Sequence, residues 1–424
     1  MTKYLLERRP FSMKLFIGID VSSKDLQVAI TDSKNYQKPI INQSFSNDLI
    51  GANEVKKIIL QLAEQNSYDK VIIGMEATSI YSFHPAYFFA NDQDLQKLNL
   101  ETNVDNPRDT KRFHDAFEEN KNDPLDAYYI AEYLRFGKYR VTIARQEQYL
   151  ALQRLTRTRY EVMASLTRAK QHFIEALYYR LNKLVTVDKD GIKTSVFGAT
   201  MMSIVTDSKT IDEIADMPIE DLIDYLQVKE RGRFSDPEAL AKAIRKAVRS
   251  SYRLGKVMKD SIDAVLAVYY TEIKTNQSLI KDLDKAIARI VEALPEAKIL
   301  QSIPGIGPVY SAGIIAEIGS IDRFDNEAGL AKYAGLAWRQ KQSGSFDSEH
   351  TPMTKNGNHY LRYYLVEAAN LIRLRDPVFA KYYQKKYDEA SFSPHKRACV
   401  LCARKLVRTI FTLLKNGQIY QTPR

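Results

Sequence analysis

The spacing of hydrophobic positions separates a first part of the chain with strand-like and helical segments from a second part that is helical throughout. Residues 14–20 (KLFIGID) and 70–76 (KVIIGME) are short apolar runs rich in Ile and Val, which predict two buried strands. Weaker strand signals occur at 26–31, 39–45 and 98–104, and helical periods occur at 49–65, 107–117 and 124–136. We therefore predict an α/β domain over residues 14–140, with helices on the faces of a mixed sheet.

After residue 145 the apolar positions recur at steps of three and four. Leu152, Leu155, Val162 and Leu166 begin this series, which is typical of a coiled-coil or bundle helix. A second long helix is predicted at 258–294 and would return antiparallel to the first. We predict a helical coiled-coil region over 145–296, with an inserted helical segment at about 185–256, and a mostly helical C-terminal domain over 297–416.

Charge is concentrated at the C-terminal end of the chain. The 424 residues carry a net charge of +10, and residues 351–424 contain 14 Lys and Arg but 4 Asp and Glu. A local excess of this kind predicts binding to a polyanion, and nucleic acid is favoured over an anionic membrane surface.

Composition also indicates where the protein works. No apolar run approaches the ~18–20 residues that a membrane span requires. The first twelve residues lack the apolar core of a signal peptide, and they are expected to be a tail or an upstream start. Cys399 and Cys402 lie in an apolar helical pattern without a second ligand pair, so helix packing is favoured over a zinc or redox site. A cytoplasmic protein without membrane contact is predicted.

Four acidic residues stand at predicted strand ends and at a helix start. Asp20 ends the first buried strand and Glu76 ends the second, while Asp123 and Asp126 open a helix in the run KNDPLDA. The three-residue spacing of the last two places them on one helical face. Carboxylates gathered in this way predict a site for Mg²⁺, with Mn²⁺ as the alternative ion. The competing interpretation is that each is an ordinary cap or strand-end acid, and Asp123 before Pro124 is a good N-cap.

The run PGIGP at 304–308 separates two helical stretches. It is typical of a helix-hairpin-helix, in which Gly305 and Gly307 would let backbone N–H groups approach a DNA phosphate. The alternative is a plain turn between packed helices.

A polar loop follows, with Ser343-Gly344-Ser345 and then TKNGN at 354–358. On its residues alone this stretch is interpreted as a flexible loop, because no His–Asp pair nearby predicts a hydrolase triad.

Taken in order, GIDVSS, GMEAT, KNDPLDA, SIPGIGP and SGS…TKNGNHYLR resemble the DEDD transposases of the insertion-sequence 110 family. The resemblance covers residues 14–140 and 297–415, and it leaves the segment 185–256 without a role. It implies an RNase H-like (RuvC-like) first domain. In that domain Asp20, Glu76, Asp123 and Asp126 would be the acidic tetrad that is both catalytic and metal-binding.

The resemblance also implies the chemistry. Ser343 matches the catalytic serine; Ser345 is the second candidate, since SGSFDSEH departs from the usual glycine-rich and basic loop. The serine would attack a DNA phosphodiester and form a phosphoseryl intermediate. Tetrad and serine would come from different subunits of a homo-oligomer, a dimer or tetramer. Lys355 and Arg362 would contact phosphates.

Partners follow from the same resemblance. The protein would act at the bacterial nucleoid on the DNA of element ends and target, and a non-coding RNA encoded by the element would choose the sites by base pairing. Two alternatives stay open. One is a metal-dependent, structure-specific nuclease that resembles Holliday-junction resolvases and forms no covalent intermediate. The other is a non-enzymatic protein that binds DNA or RNA through residues 351–424, which we call the basic block.

Overall fold

A computed structural model describes the chain in two compact units, Met1–Gln146 and Glu147–Arg424. The described residues are 13–35, 38–77, 80–105, 110, 113, 123–137, 147–186, 196–198, 201–202, 205, 210–230, 236–338, 342–343, 346–347, 353–354 and 356–422. At 123–124, 210–212, 229–230, 342–343 and 346–347 the description covers the backbone alone. The three-part division predicted from the sequence stays a prediction.

The first unit is built on a five-stranded mixed sheet in the order β3-β2-β1-β4-β5. The strands are β1 (Lys14–Val21), β2 (Asp25–Asp32), β3 (Ile41–Ser46), β4 (Lys70–Glu76) and β5 (Leu100–Asp105). The first three strands form an antiparallel meander, and β4 and β5 run parallel to β1. The central strands β1 and β4 are nearly continuous apolar runs because both of their faces are covered.

Helices cover both faces of this sheet, which confirms the predicted α/β class. They are α1 (Leu49–Gln65), α2 (Phe83–Asn91), α3 (Gln93–Gln96) and α4 (Asp123–Arg135). Val55, Ile59 and Phe89 pack on one face, and Ala131 and Leu134 of α4 pack on the other. The helix predicted at 107–117 lies outside the described residues except for positions 110 and 113.

Two long helices organise the second unit, α5 (Glu147–Arg180) and α10 (Lys256–Val291). They are antiparallel, since Arg159 near the start of α5 pairs with Asp284 near the end of α10, and Arg180 at the end of α5 pairs with Asp263. With a rise of about 1.5 Å per residue, each helix is about 50 Å long.

Each end of this helical pair belongs to a different hydrophobic core. Between the two helices the chain forms α6 (Asn182–Thr186), α7 (Thr210–Asp216), α8 (Ile219–Glu230) and α9 (Pro237–Ser250). These shorter helices pack around Phe173 and Ile273. The inserted segment therefore forms its own core at one end of the pair.

The C-terminal helices pack around the other end, at Leu152 and Ile287. They are α11 (Pro295–Gln301), α12 (Pro308–Ile318), α13 (Glu327–Tyr333), α14 (His359–Ile372), α15 (Pro377–Asp388) and α16 (Pro394–Asn416). A two-stranded hairpin, β6 (Gln342–Ser343) with β7 (Phe346–Asp347), lies in the stretch that the sequence predicts as loop. None of the helices in the described part of the chain has the length and apolarity to cross a membrane.

Candidate active site

Two glycines in register on neighbouring strands let helix α4 lie directly on the sheet. Gly18 of β1 is the partner of Gly74 of β4. A Cβ on Gly18 would meet the Ala127 carbonyl oxygen at 2.1 Å, and one on Gly74 would meet the Leu134 side chain at 2.7 Å. A side chain on Gly18 would push the helix backbone away, and one on Gly74 would displace the Leu134 side chain. The two glycines therefore determine how closely α4 approaches β1 and β4.

The acidic residues of β1 and β4 project from the face that α4 covers. Successive side chains of a strand alternate between faces, so Asp20 is on the same face as Gly18, and Glu76 is on the same face as Gly74. The register pairs Ile19 with Met75, which makes Asp20 and Glu76 neighbours where the two strands end.

Helix α4 begins at this same edge. Its Ala127 lies over Gly18, while Leu134, two turns later, lies over Gly74 and packs with Phe16 near the start of β1. The helix therefore runs against the direction of β1, and its first turn, with Asp123 and Asp126, extends toward the strand ends. Asp126 is half-buried, and the side chain of Asp123 lies outside the described residues.

The structure adds two residues to this edge that the sequence did not single out. Asp105 ends β5 as the register partner of Glu76, and it is 7% exposed, with Asn103 Nδ2 donating to its Oδ2. Buried Thr110 donates its hydroxyl to Glu76 Oε1. The signal that could have found Asp105 is its place directly after the strand predicted near 98–104. No local pattern indicated Thr110.

The donors at this edge suit a hard divalent cation. They are carboxylates from two parallel strand ends and from a helix N-terminal turn, and Mg²⁺ prefers oxygen ligands. Within the described residues, no three Asp, Glu, His or Cys side chains lie close enough together to hold one ion. The donor chemistry fits the cation, but Asp20, Glu76 and Asp126 are not gathered closely enough in this structure to hold one ion. The carboxylate of the fourth predicted ligand, Asp123, lies outside the described residues.

The candidate serine lies in the second unit, at the end of strand β6. Backbone pairing joins Gln342 to Asp347 and Ser343 to Phe346. Gly344 and Ser345 separate the two strands in the sequence. The side chain of Ser343, and all of Ser345, lie outside the described residues.

The base of this hairpin is held by backbone contacts. Trp338 and Met353 form an antiparallel bridge, and the Thr354 amide donates to the Ala337 carbonyl at 2.8 Å. Gly357 has φ +137°, and a Cβ there would lie 2.4 Å from the Tyr333 carbonyl oxygen. We call residues 338–358 the serine loop; it begins at Trp338 of this bridge and ends at Asn358, the residue directly before α14.

The structure describes three of the four predicted phosphate contacts, which are Arg362, Gly305 and Gly307. Half-buried Arg362 donates from Nη1 to the Ala334 carbonyl at 3.2 Å, so part of its guanidinium serves the fold. Lys355 lies outside the described residues. Gly305 has φ +97°, and a Cβ there would meet the backbone of Leu371 and Ile372 at 3.2 Å, so close helix packing accounts for this glycine. No described atom lies within 4 Å of a Cβ placed on Gly307, the residue before α12.

Two family models match the chain on either side of the inserted segment. The model described as the transposase IS116/IS110/IS902 family matches residues 297–384, which include the serine loop. A second transposase model, of the DEDD type of IS110, matches residues 17–179, which include all four predicted acids.

Proteins of insertion elements are similar to this chain over part of its length. The 43.6 kDa protein of insertion element IS110 from Streptomyces coelicolor is 28% identical over 213 residues, 45% of this chain and 52% of that protein. The mini-circle putative transposase for IS117 from the same species is 25% identical over 78% of each chain. The pilin gene-inverting protein of Moraxella bovis is 27% identical over 43% of this chain and 59% of that protein.

The chain thus spans about half the length of the IS110 protein that it matches. The two models match it in order, one from the sheet into the first long helix and the other over the serine loop. The chain belongs to the IS110 family of DEDD transposases.

Proposed function

We propose that the protein is the transposase of an insertion sequence, a DNA recombinase that excises and integrates its element. One observation carries the proposal: Asp20 and Glu76 stand side by side at two strand ends, on the face where α4 begins with Asp123 and Asp126. The order of the mixed sheet supports an RNase H-like domain, which the family resemblance implies for this unit. The family relatives supply the class of reaction.

We call the ends of β1 and β4 together with the first turn of α4 the acidic edge. This edge would bind Mg²⁺, or Mn²⁺ in its place. Asp20, Glu76, Asp123 and Asp126 are the proposed ligands, and the bound cation would stabilise the negative charge that develops on the phosphate. Thr110 would hold the Glu76 carboxylate in one orientation through its hydroxyl.

Ser343 is the proposed nucleophile. Its Oγ gives up a proton and forms a bond to phosphorus, one bridging P–O bond of the DNA strand breaks, and the leaving sugar oxygen takes up a proton. The phosphoseryl bond keeps the energy of the phosphodiester, so an attacking sugar hydroxyl can rejoin a strand and release the serine without an external energy source. Gly344, next in the sequence, has no side chain that would hinder a bulky DNA phosphate at this position.

The partners are proposed on family grounds. Element-end and target DNA are the substrates, with Lys355, Arg362 and the backbone around Gly305 and Gly307 as phosphate contacts, and an element-encoded RNA would select the sites. The acids and Ser343 lie in separate units of the chain. That separation is compatible with a homo-oligomer in which one subunit supplies the acids and another supplies the serine.

A covalent-trapping experiment tests the proposal. Purified protein is mixed with Mg²⁺, DNA of the element end and the flanking transcript, then denatured and examined for a protein–DNA adduct. We expect an adduct that is lost in Ser343→Ala and kept in the matched variant Ser345→Ala.

The other outcomes are equally informative. An adduct lost only in Ser345→Ala would make Ser345 the nucleophile. Strand cleavage without any adduct would instead indicate the resolvase-like nuclease, and binding without cleavage would indicate the non-enzymatic protein.

A further inference from the structure

A fully buried carboxylate joins three segments of the second unit. Glu317 lies in the last turn of α12 and is 0% exposed. Arg157 of α5 donates to both of its oxygens, from Nε to Oε1 at 2.7 Å and from Nη2 to Oε2 at 2.9 Å. Asn358, the last residue of the serine loop, donates from Nδ2 to Oε2 at 2.6 Å.

The position of Glu317 is unfavourable for helix stability alone. A negative side chain near a helix C-terminus opposes the helix dipole. Taking a carboxylate and a guanidinium out of water costs free energy that their attraction only partly returns, and apolar residues of similar size often serve stability equally well. A role in packing alone therefore does not account for a carboxylate at this place.

Asn358, where the serine loop ends, bonds to α13 and α14 as well as to Glu317. Its Oδ1 accepts from the Leu361 amide at 3.0 Å and caps α14, and its backbone N–H donates to the Tyr333 carbonyl at 2.7 Å. Its Nδ2 is shared between Glu317 and the Tyr333 hydroxyl. The loop therefore ends at a residue whose orientation is determined by a buried charge.

The same carboxylate holds the long helix. Arg157 is two-thirds buried, and its guanidinium also lies 4.7 Å from the centre of the Tyr360 ring in α14. Hydrogen bonding to Glu317 raises the pKa of Arg157, so the guanidinium stays charged. A shift of α5 would therefore reach α14 through the Tyr360 ring and the end of the serine loop through Glu317 and Asn358.

We propose that Glu317 is a positioning residue that, through Asn358 and Arg157, holds the C-terminal end of the serine loop in register with the long helix α5. This proposal rests on the proposed function of Ser343 as nucleophile. A displacement of about 1 Å at a reacting group can lower a rate by about 100-fold. The contacts of Glu317 with Asn358 and Arg157 would therefore determine the rate of strand cleavage and leave the affinity for DNA unchanged.

Three variants of the full chain test whether Glu317 positions the end of the serine loop. Glu317→Gln removes the charge at nearly constant size. Asn358→Ser keeps a side-chain oxygen to cap α14 but removes the amide that donates to Glu317, and it leaves the Arg157 pair intact. Asp284→Asn is the matched control, because it removes a carboxylate of α10 that pairs at 2.5 Å with Arg159, which like Arg157 lies on α5. None of the hydrogen bonds or ion pairs described for Asp284 involves a described residue of the serine loop.

Two measurements are made on each variant. Amide hydrogen exchange over residues 353–358 should speed up in Glu317→Gln and Asn358→Ser and stay unchanged in Asp284→Asn. The single-turnover rate of adduct formation should fall about 10- to 100-fold in the first two, with the Kd for DNA unchanged and with the control at the wild-type rate.

The proposal is overturned if exchange and rate in both variants equal those of the wild type, or if Asp284→Asn slows the reaction as much as they do. If the wild-type protein forms no adduct, the proposed function fails. The exchange comparison alone then decides whether Glu317 anchors the loop.

Discussion

Gly18 lies so close to Ala127 that a Cβ on the glycine would stand 2.1 Å from the Ala127 carbonyl oxygen and 2.4 Å from the Ala131 amide nitrogen. Both neighbours are backbone atoms of α4, which cannot turn aside as a side chain can. Gly18→Ala should therefore displace the helix and lower the free energy of unfolding by about 1–3 kcal/mol. Urea denaturation followed by circular dichroism measures this change.

Gly255→Ala is the matched control. No described atom lies within 4 Å of a Cβ placed on Gly255, and its φ of −62° suits any residue. Gly255 is the N-cap of α10, where Ala is less favoured than Gly, so the free energy of unfolding should fall by less than about 1 kcal/mol. Equal denaturation midpoints for Gly18→Ala and the wild type would contradict the close contact of α4 with β1.

Thr110→Val should weaken the acidic edge without changing its shape. The two side chains are nearly isosteric, but valine cannot donate to Glu76 Oε1. A hydrogen bond to a charged group contributes about 1.5–3 kcal/mol, so we expect strand cleavage to slow by about 10-fold or more. Cleavage assays over a range of Mg²⁺ concentrations measure the effect.

Thr31→Val provides the comparison in the same unit. Thr31 is fully buried in β2, and its hydroxyl has no hydrogen-bond partner among the described residues. Its replacement should leave cleavage unchanged and stability equal or slightly higher. Thr110 has no role in holding Glu76 if both variants behave alike.

Removal of metal should lower stability only when the acidic edge is intact. At a Mg²⁺ concentration about 100 times Kd, binding to the folded state stabilises a protein by about 2.7 kcal/mol. We expect this increment in the wild type, and we expect Asp20→Asn and Glu76→Gln to abolish it together with cleavage. Thermal unfolding with Mg²⁺ and with EDTA measures it.

Asp25→Asn is the control for the metal experiment, because Asp25 is an exposed acid at the start of β2. It should keep the full increment. An Asp20→Asn variant that keeps both the increment and cleavage would remove the acidic edge from the mechanism.

The two cysteines should be unreactive in the folded protein. Cys399 and Cys402 are both buried and free, and burial raises the pKa of the Cys402 thiol to about 11. A raised pKa means that the thiol stays protonated at pH 8, and the protonated form is a poor nucleophile. Mass spectrometry after iodoacetamide treatment should find little alkylation of native protein at pH 8 and two alkylated residues in guanidinium chloride. Rapid labelling of native protein would contradict the helix-packing interpretation.

Nucleic-acid binding should weaken steeply as salt rises. Lys396 and Arg397 are exposed on α16 within the basic C-terminal block. Each phosphate contact contributes a slope of about −0.9 to log K against log salt on duplex DNA. Arg397→Gln should therefore reduce the magnitude of the slope by about 1, measured by fluorescence anisotropy at several salt concentrations.

Lys285→Gln is the matched control for Arg397→Gln, because it removes one positive charge from α10, outside the basic block. Lys285 is 72% exposed and pairs with Asp282 on its own helix. Its substitution should leave the slope unchanged. A flat salt response of the wild type would exclude the basic block as the binding surface.

Some of this molecule could be predicted without its tertiary structure. The helix at 49–65 and the strand at 70–76 have the predicted bounds, because the apolar period of each segment encodes the face that it buries. The positions of Asp20 and Glu76 at strand ends followed from the same pattern, and the order of the motifs identified the family. The roles of the four acids and of Ser343 stay predictions.

Other features depend on contacts between segments far apart in the sequence, which no local period encodes. Asp105 reaches the acidic edge through the register of β4 with β5, and Thr110 reaches Glu76 across 34 residues. Arg157 and Asn358 meet at Glu317, although about 200 residues separate them. The sequence by itself therefore determined the elements and the residue types available for chemistry. Tertiary packing decided which side chains meet, since register and helix approach depend on the close fit of distant surfaces.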